Sequence, residues 1–360
     1  VPAGTRMIAG LTSPMQAGTE FRAGGSAQYW LNSRNNDLLV YALYSPDYLG
    51  SYVAAIAGAQ KLNRDAADGL TAQLRDFATR EDRAEAGSGD KAECWFRATA
   101  GDTDYEPFPG GPFSARGESY LLGYGMTVWG TSSTARLLAG VVIGRAVLRQ
   151  SADDSGIRGH IASNLGGLYA IYRRPSAERF PWYMSAAVIH GRLWFDNTVP
   201  GYLGHGLEQS YRGSMTSASL EASVPLKLGH GWTVTPQAQF AANRVDHGDF
   251  LDGLGAAVSL DKGHELRARL GAQLDKTLFR QDRHQLSIWA SGGAVREFSG
   301  GNRIAVAGET AMGRRFGWAY QVDTGLRFDW SERLSLRASG GRIWGDEHGY
   351  RGSTAISVAW

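Results

Sequence analysis

The chain ends in YRGSTAISVAW, Tyr350 to Trp360, where every second residue is large or apolar. Tyr350, Ile356, Val358 and Trp360 share one face, and small or polar residues occupy the other. This alternation predicts a β-strand with one face in an apolar medium. Ten steps of about 3.3 Å, tilted by about 45°, cover on the order of 23 Å, which is close to the apolar band of an outer-membrane barrel. The stretch therefore predicts a membrane-spanning strand with an aromatic side chain at each end.

The same alternation recurs upstream. In AYQVDTGLRFDW (319–330), one face carries Tyr320 and Trp330 ten residues apart, and HELRARLGAQLD (264–275) alternates leucines with charges. The charged faces supply the predicted lumen-facing residues, which are Glu221, Arg267, Arg269, Asp323 and Arg327. A β-sandwich also alternates, but its strands are usually about 5–6 residues long. Strand length and paired aromatics favour a membrane barrel.

Composition agrees with this interpretation. The chain has 360 residues, with 48 Gly, 11 Trp, 15 Tyr and 13 Phe, and it contains no run of about 18 apolar residues that would predict a transmembrane helix. The single cysteine, Cys94, has no partner for an internal disulfide. A formal net charge of +2 gives no argument for nucleic acid as a partner. Because the chain begins at Val1 without Met or a signal peptide, we expect it to be part of a longer exported precursor.

Twelve alternating segments are predicted, and short connectors alternate with longer ones. We therefore expect an all-β transmembrane barrel of about twelve antiparallel strands, with both barrel termini at the short-turn rim. LLAGVVIG (137–144) is apolar at almost every position, so either its inward face is also buried or its boundary is misplaced. The predicted strands span 92–105, 118–130, 135–149, 157–173, 181–197, 213–227, 231–247, 255–278, 284–299, 317–331, 333–346 and 350–360.

A helix is predicted immediately before the barrel. Ser45 suits the N-cap, Pro46 the first helical position and Asp47 the first turn. Apolar residues then recur at helical spacing to Phe77. A twelve-stranded barrel has room for about one slim helix, so we expect this helix to thread the lumen with its polar residues toward the charged wall. The pore-helix residues singled out are Ile56, Asn63, Arg64 and Asp68, and the other polar residues are Gln60, Lys61 and Asp65.

Three short strand candidates precede the helix, RMIAGL (6–11), SAQYWLNS (26–33) and DLLVYALYS (37–45). They are too few for a domain of their own. Because a helix that passes through the pore delivers its N-terminal side beyond the membrane, we expect residues 1–44 at the cell surface.

The order of these parts resembles the C-terminal end of monomeric autotransporters, the type V secretion family. The motif before the helix matches Tyr44, Ser45, Pro46 and Asp47, and CWFRATAGD (94–102) loosely matches the opening of the first strand. The final strand matches at Ile356, Val358 and Trp360. The resemblance covers the whole chain, although each motif is short.

The resemblance implies a translocator that anchors in the bacterial outer membrane and exports its own N-terminal passenger. Residues 1–44 would be the last β-helix rungs of that passenger, 45–91 a linker with the pore helix, and 92–360 the barrel. It also implies that the strand with Tyr350, Ile356, Val358 and Trp360 is the signal that the barrel-assembly machinery reads. The implied partners are that machinery, outer-membrane lipid, lipopolysaccharide and the chain's own passenger, and a monomer is implied.

Catalytic motifs are absent from the sequence, which has no HExxH, CxxC or GxSxG and eight scattered histidines. We therefore expect no enzyme, metal or cofactor. The resemblance raises one exception, because some members cut their own pore helix by asparagine cyclisation. Asn63 is the candidate, but the bulky Arg64 that follows it hinders cyclisation. The carboxylates that would manage the proton are Glu221, Asp275, Asp323 and Asp329.

Three alternatives belong to other functional classes. A passive porin-like channel would have the barrel with an open lumen and no helix inside it. An outer-membrane enzyme would need a catalytic set at the loop rim, which the sequence lacks. A soluble β-sandwich binding module is disfavoured by the strand length.

Overall fold

The structure is a computed structural model of the chain. It describes residues 6–11, 20–21, 27–34, 37–44, 46–80, 92–105, 112–130, 135–152, 156–174, 181–199, 207–251, 257–260, 263–281, 283–298, 303–306, 309–312, 317–331 and 333–360.

One helix and twenty-one strands lie in these ranges. The helix is α1 (Pro46–Arg80). Before it come β1 (Arg6–Leu11), β2 (Glu20–Phe21), β3 (Ala27–Arg34) and β4 (Asp37–Tyr44). After it come β5 (Ala92–Tyr105), β6 (Phe113–Gly130), β7 (Arg136–Ala152), β8 (Ile157–Arg174), β9 (Trp182–Val199), β10 (Leu207–Ser223), β11 (Leu226–Gly229), β12 (Trp232–His247), β13 (Phe250–Leu251), β14 (Ala257–Leu260), β15 (Gly263–Gln281), β16 (His284–Glu297), β17 (Arg303–Val306), β18 (Glu309–Met312), β19 (Trp318–Asp329), β20 (Leu334–Gly345) and β21 (His348–Ala359).

Twelve of the described strands close into an antiparallel barrel. Neighbours in sequence pair from β5 to β10, then β10 pairs β12, and β12, β15, β16, β19, β20 and β21 follow in order. The circle closes where β21 pairs β5 from His348–Asp104 to Ala359–Glu93. Backbone hydrogen bonds between Ala92 and Trp360 complete this seam at the short-turn rim. The predicted barrel of about twelve strands, with a helix in its lumen, is confirmed.

Strand boundaries agree with the sequence prediction except next to the longer connectors. The segment predicted as one strand over 255–278 contains two, because β14 leaves the barrel wall and β15 begins only at Gly263. The strand predicted at 213–227 is β10, which begins earlier and ends at Ser223. Local alternation does not reveal which sheet a strand joins, and this explains the error at 255–278.

The two faces of the barrel strands differ as the alternation predicts. Side chains of one parity are buried inside, and the large apolar side chains of the other parity are exposed on the outer surface. Exposed aromatics form two girdles, with Trp318, Tyr320, Trp344 and Tyr350 near the long-connector rim and Trp129, Trp232, Trp330 and Trp360 near the short-turn rim. An apolar outer surface between two aromatic girdles is typical of a barrel that spans a bilayer. None of the described helices has the length and hydropathy to cross a bilayer.

β7 resolves the ambiguity of the apolar run 137–144. Val141 and Ile143 are exposed on the outer surface, whereas Leu138 and Val142 are buried inside. The strand therefore has two apolar faces, one toward lipid and one toward the barrel interior.

The β11–β12 hairpin at the short-turn rim depends on left-handed backbone. Gly229, His230 and Gly231 have φ angles of 87°, 50° and 77°. Glycine adopts such angles without a Cβ penalty, and histidine tolerates the left-handed region better than most residues. The predicted HG turn at 230–231 is thus a three-residue left-handed turn.

Two further sheets lie outside the barrel. β1, β4, β3 and β2 pair antiparallel in that order. β13, β14, β17 and β18 form a second antiparallel sheet from the two long connectors at 248–262 and 298–317. Only β14 falls in a predicted strand, the one over 255–278, whereas β13, β17 and β18 lie in segments predicted as connectors, 248–254 and 300–316.

Candidate functional site: the helix-filled lumen

Helix α1 crosses the lumen from one rim to the other. Near its N-terminus, Tyr52 packs edge-on against Phe250 of β13, with ring centroids 5.9 Å apart. Near its C-terminus, Phe77 packs against Trp95 of β5 with centroids 6.3 Å apart. At about 1.5 Å per residue, 35 residues span about 52 Å, which exceeds the thickness of a bilayer.

An apolar stripe of α1 packs against one half of the wall. Its buried members are Tyr52, Ile56, Leu62, Leu70, Leu74 and Phe77. They share one continuous buried cluster with inward side chains of β5–β10, among them Leu121, Leu148, Ile161, Tyr183, Leu193 and Phe195. Burying each large side chain contributes about 1.5–3 kcal/mol, so this half of the lumen holds the helix by the hydrophobic effect.

Gly58 lets the helix approach this wall closely. A Cβ at Gly58 would lie 3.0 Å from Cδ1 of Ile161 and 3.1 Å from Cδ2 of Leu148. The same Cβ would clash with Oε1 of Gln150, so a larger residue at this position would require these three side chains to shift. A small residue at this position therefore allows the helix to pack closely against the barrel wall.

The opposite stripe of α1 is charged and pairs with the wall. Arg64 donates to Glu347, to Glu265 at 3.5 Å and to the hydroxyl of Tyr105 at 3.4 Å. One helical turn later, Asp68 lies 3.6 Å from Nη1 of Arg267. These pairs connect the middle of the helix to β5, β15 and the β20–β21 connector.

Two further charged residues, Arg75 and Asp76, hold the C-terminal half of the helix against the wall. The guanidinium of Arg75 donates to both carboxylate oxygens of Glu221 on β10, with Nε–Oε1 of 3.0 Å and Nη2–Oε2 of 2.5 Å. Asp76 accepts from Arg97 at 2.6 Å and also contacts Arg337. The bidentate pair restricts both rotation and height of the helix because its geometry is planar and directional.

A cavity of about 110 Å³ separates the charged stripe from the wall of β15–β21. Arg267, Arg269, Asp323 and Arg351 line it, and Arg351 Nε donates to Asp323 at 2.7 Å. A polar space of this size holds on the order of several water molecules. The space left beside the helix in this cavity is too small for a polypeptide.

The other predicted lumen residues lie inside the barrel. Arg269 is buried and donates to Gln237 at 3.0 Å. Arg327 donates to Oγ1 of Thr79 at 3.3 Å, near the end of α1. With Glu221, Arg267 and Asp323 they form the charged wall, which the three strands β10, β15 and β19 supply.

Asn63 lies in the helix with its side chain against β10. Its Nδ2 donates to the backbone oxygen of Thr216 at 3.0 Å. Among the described residues, none of the four candidate carboxylates hydrogen-bonds Asn63, because each is engaged elsewhere. Glu221 binds Arg75, Asp323 binds Arg351, Asp275 accepts from Gln273, and Asp329 accepts from Ser335.

The predicted assembly-signal residues lie on the lipid-facing side of β21. Tyr350 and Trp360 are 63% and 58% exposed, and Ile356 and Val358 are also exposed between them. The Trp360 ring lies 6.1 Å from that of Tyr124 on β6. The strand therefore spans from one aromatic girdle to the other.

Sequence reasoning missed two features of the lumen. It did not identify the apolar inner wall of β5–β10, whose signal is strands with apolar residues on both faces, as at 137–144. It also omitted Arg75 and Asp76, although Arg64, Asp68 and Arg75 are spaced by four and seven residues and so share a helix face. In the part of the chain that the structure describes, no group of three or more His, Cys, Asp or Glu side chains is arranged to hold a metal.

Comparison with known proteins gives a consistent result. The family model for the autotransporter β-domain matches residues 94–341. The adhesin BmaC autotransporter of Brucella suis is 28% identical over 187 residues, which are 46% of this chain and 5% of that protein. The pertactin autotransporter of Bordetella bronchiseptica is 29% identical over 150 residues, 42% of this chain and 16% of that protein. The chain thus matches only a small part of the length of these relatives.

Among solved structures, the β domain of the Bordetella autotransporter BrkA has the same fold. The TM-score is 0.61 at 17% identity, and the match covers 74% of this chain and 98% of that chain.

Proposed function

The chain belongs to the autotransporter β-domain family, and from this premise we propose how its parts carry out export. The barrel resides in the bacterial outer membrane and translocates its own N-terminal passenger to the cell surface. We assign residues 92–360 to the translocator, 45–91 to a linker with the pore helix, and 1–44 to the C-terminal end of the passenger.

The path of the chain carries this proposal. The barrel begins and ends at the short-turn rim, where Ala92 bonds Trp360, and this rim faces the periplasm. The N-terminal part of α1 lies at the opposite rim beside Phe250. Whatever precedes α1 is therefore delivered through the lumen to the outside, and α1 is the last segment to enter.

After export the helix closes the pore. The apolar wall of β5–β10 and the ion pairs of Arg64, Asp68, Arg75 and Asp76 favour one seated position. A passive porin-like channel needs an open lumen, and the helix occupies most of this one. No catalytic step is required, since the barrel acts by enclosing and anchoring the chain.

Deletion of residues 46–80 tests this function. The shortened protein should insert as a twelve-stranded barrel and show a single-channel conductance in planar bilayers several times that of the full chain. A synthetic peptide of residues 46–80, added to the deleted barrel, should restore the low conductance. Equal conductance with and without the helix, in barrels that both migrate as heat-modifiable species, would mean that the helix does not close the pore.

We further propose that the helix stays uncut at Asn63. Cyclisation needs the side-chain Nδ2 to attack its own carbonyl carbon, but Nδ2 donates to Thr216 and Arg64 follows. The intact mass of the purified, inserted protein should equal that of the full chain, and Asn63→Gln should also give one uncut chain, heavier only by the added methylene. A fragment that begins at residue 64 would contradict this.

The partners follow from the surfaces. The exposed apolar strand faces suit outer-membrane lipid and lipopolysaccharide, and β21 suits recognition by the barrel-assembly machinery. A complete lumen within one chain supports a monomer that serves its own passenger.

A further inference from the structure

Three arginines stand on the outer surface where the lipid-facing aliphatic rows end. Arg145 on β7, Arg192 on β9 and Arg212 on β10 are all exposed. The registers bring them together, because Arg145 lies opposite Asn164 and Asn164 lies opposite Arg192. Arg212 is opposite Trp194, one outward position beyond Arg192. At about 4.8 Å per strand, the group spans roughly 15 Å of the rim.

Toward the membrane centre, the outward side chains of these strands are aliphatic. Ile143, Leu168 and Val188 are exposed by 61%, 66% and 51%. Leu168 and Val188 are register partners, and Val141 lies opposite Leu168. Arg145 lies one outward position beyond Ile143, and Asn164 and Arg192 lie two beyond Leu168 and Val188, with His190 between Val188 and Arg192. On β10, Arg212 lies three outward positions beyond Ala218, the register partner of Val188.

The three arginines differ from their neighbours by lacking a carboxylate. Three other outward arginines near the same rim are paired, Arg116 with Asp102 at 3.3 Å, Arg149 with Glu118 at 3.8 Å and Arg244 with Asp246 at 2.9 Å. Within the described ranges, Arg145, Arg192 and Arg212 form no ion pair with a carboxylate, and neither does the exposed Arg158 on β8, which lies further from the aliphatic rows. Their guanidinium donors are therefore free for a ligand outside the protein.

On the opposite side of the barrel, two outward arginines contact aromatic rings. Arg296 stacks on Trp318 at 5.1 Å and Arg342 on Tyr350 at 5.3 Å, so these cations are engaged by aromatic rings. Among the described residues, Arg145, Arg192 and Arg212 on β7–β10 have no such aromatic partner.

We propose that Arg145, Arg192 and Arg212 bind the phosphate groups of lipopolysaccharide in the outer leaflet, with its acyl chains on the aliphatic rows below. Guanidinium groups bind phosphate through paired, charge-assisted hydrogen bonds, and several of them along one rim match a headgroup that carries more than one phosphate. Asn164 adds an uncharged donor between two of them. This proposal rests on the outer-membrane placement of the barrel and gives the lipid contact a defined position.

The test measures binding of purified full-length protein in detergent to lipopolysaccharide, the same glycolipid with its phosphates removed, phosphatidylglycerol and inorganic phosphate. The triple variant R145Q/R192Q/R212Q should bind lipopolysaccharide at least tenfold more weakly than wild type. The matched control R116Q/R149Q/R244Q removes three paired arginines from the same rim and should change the affinity less than twofold. Removal of the phosphates should weaken wild-type binding to the level of the triple variant.

Insertion is measured separately by heat-modifiable migration in liposomes, which reports on the barrel rather than on this site. If the triple variant inserts poorly, R192Q alone should still bind about threefold more weakly. Undiminished binding of lipopolysaccharide by the triple variant would overturn the proposal. Phosphatidylglycerol or inorganic phosphate binding as tightly as lipopolysaccharide, or an equal loss in the control, would also overturn it.

Discussion

Leu270 and Gln273 lie three positions apart on β15 and face opposite media. Leu270 is 67% exposed on the outer surface, whereas Gln273 is 1% exposed and donates to Asp275 at 3.0 Å inside the barrel. Leu270 also lies between the two aromatic girdles, six residues from Lys276, whose partner is Trp232. The free-energy cost of introducing a charge into β15 therefore depends on which face of the strand carries it.

We expect Leu270→Arg to destabilise the inserted barrel by about 2–4 kcal/mol, because it places a cation near the bilayer midplane. Gln273→Arg should cost much less, since the new guanidinium faces the carboxylate of Asp275. Urea titration of both variants in liposomes, followed by tryptophan fluorescence, measures the difference. Equal costs would show that the lipid and lumen faces are wrongly assigned.

The buried pair of Arg75 and Glu221 shows what a single contact contributes to the closed pore. Glu221 is fully buried, so an unpaired carboxylate there would cost far more than the pair gains. Such a pair contributes little net stability compared with a well-packed apolar contact. Its directional geometry does, however, define where along the lumen the helix stops.

At the scale of the element, β21 has two roles that separate by substitution. Its backbone closes the barrel against β5 and β20, and its outward side chains form a stripe that ends at Trp360. The backbone N–H of Trp360 donates to Ala92 at 3.1 Å, and this bond does not depend on the ring.

Trp360→Phe should assemble almost normally, because an aromatic ring remains at the interface. Trp360→Ser should still fold in detergent, since the strand keeps its hydrogen bonds and one interfacial ring is a small part of the buried surface. In cells it should assemble several times more slowly and display less passenger, measured as heat-modifiable barrel and surface passenger after a pulse of synthesis. Assembly of Trp360→Ser at the wild-type rate would exclude this strand as the assembly signal.

At the scale of the whole molecule, the lumen has two different halves. The β5–β10 wall is largely apolar, apart from Arg97 and Glu221, and most of the charged inward side chains come from β12–β21. Helix α1 matches both walls with an apolar and a charged stripe. The helix is thus both a closure and the core of the barrel, which explains why almost all its side chains from 51 to 79 are buried.

The sequence by itself determined the strands, their faces and the helix. Each depends on a local period, two for a strand with one face in lipid and 3.6 for a capped helix, and short turns alternating with longer connectors fixed the position of the barrel termini. Even Leu270, Gln273 and Trp360 were assigned to the correct faces from alternation alone.

Only the tertiary structure decided which side chains meet across the lumen. Arg75 and Glu221 are 146 residues apart, and Arg64 and Glu347 are 283 apart, so no local pattern can pair them. The apolar inner wall was hidden for a related reason. A strand with two apolar faces has no alternation to read, and whether its second face meets lipid, water or a helix depends on how the sheet closes around α1.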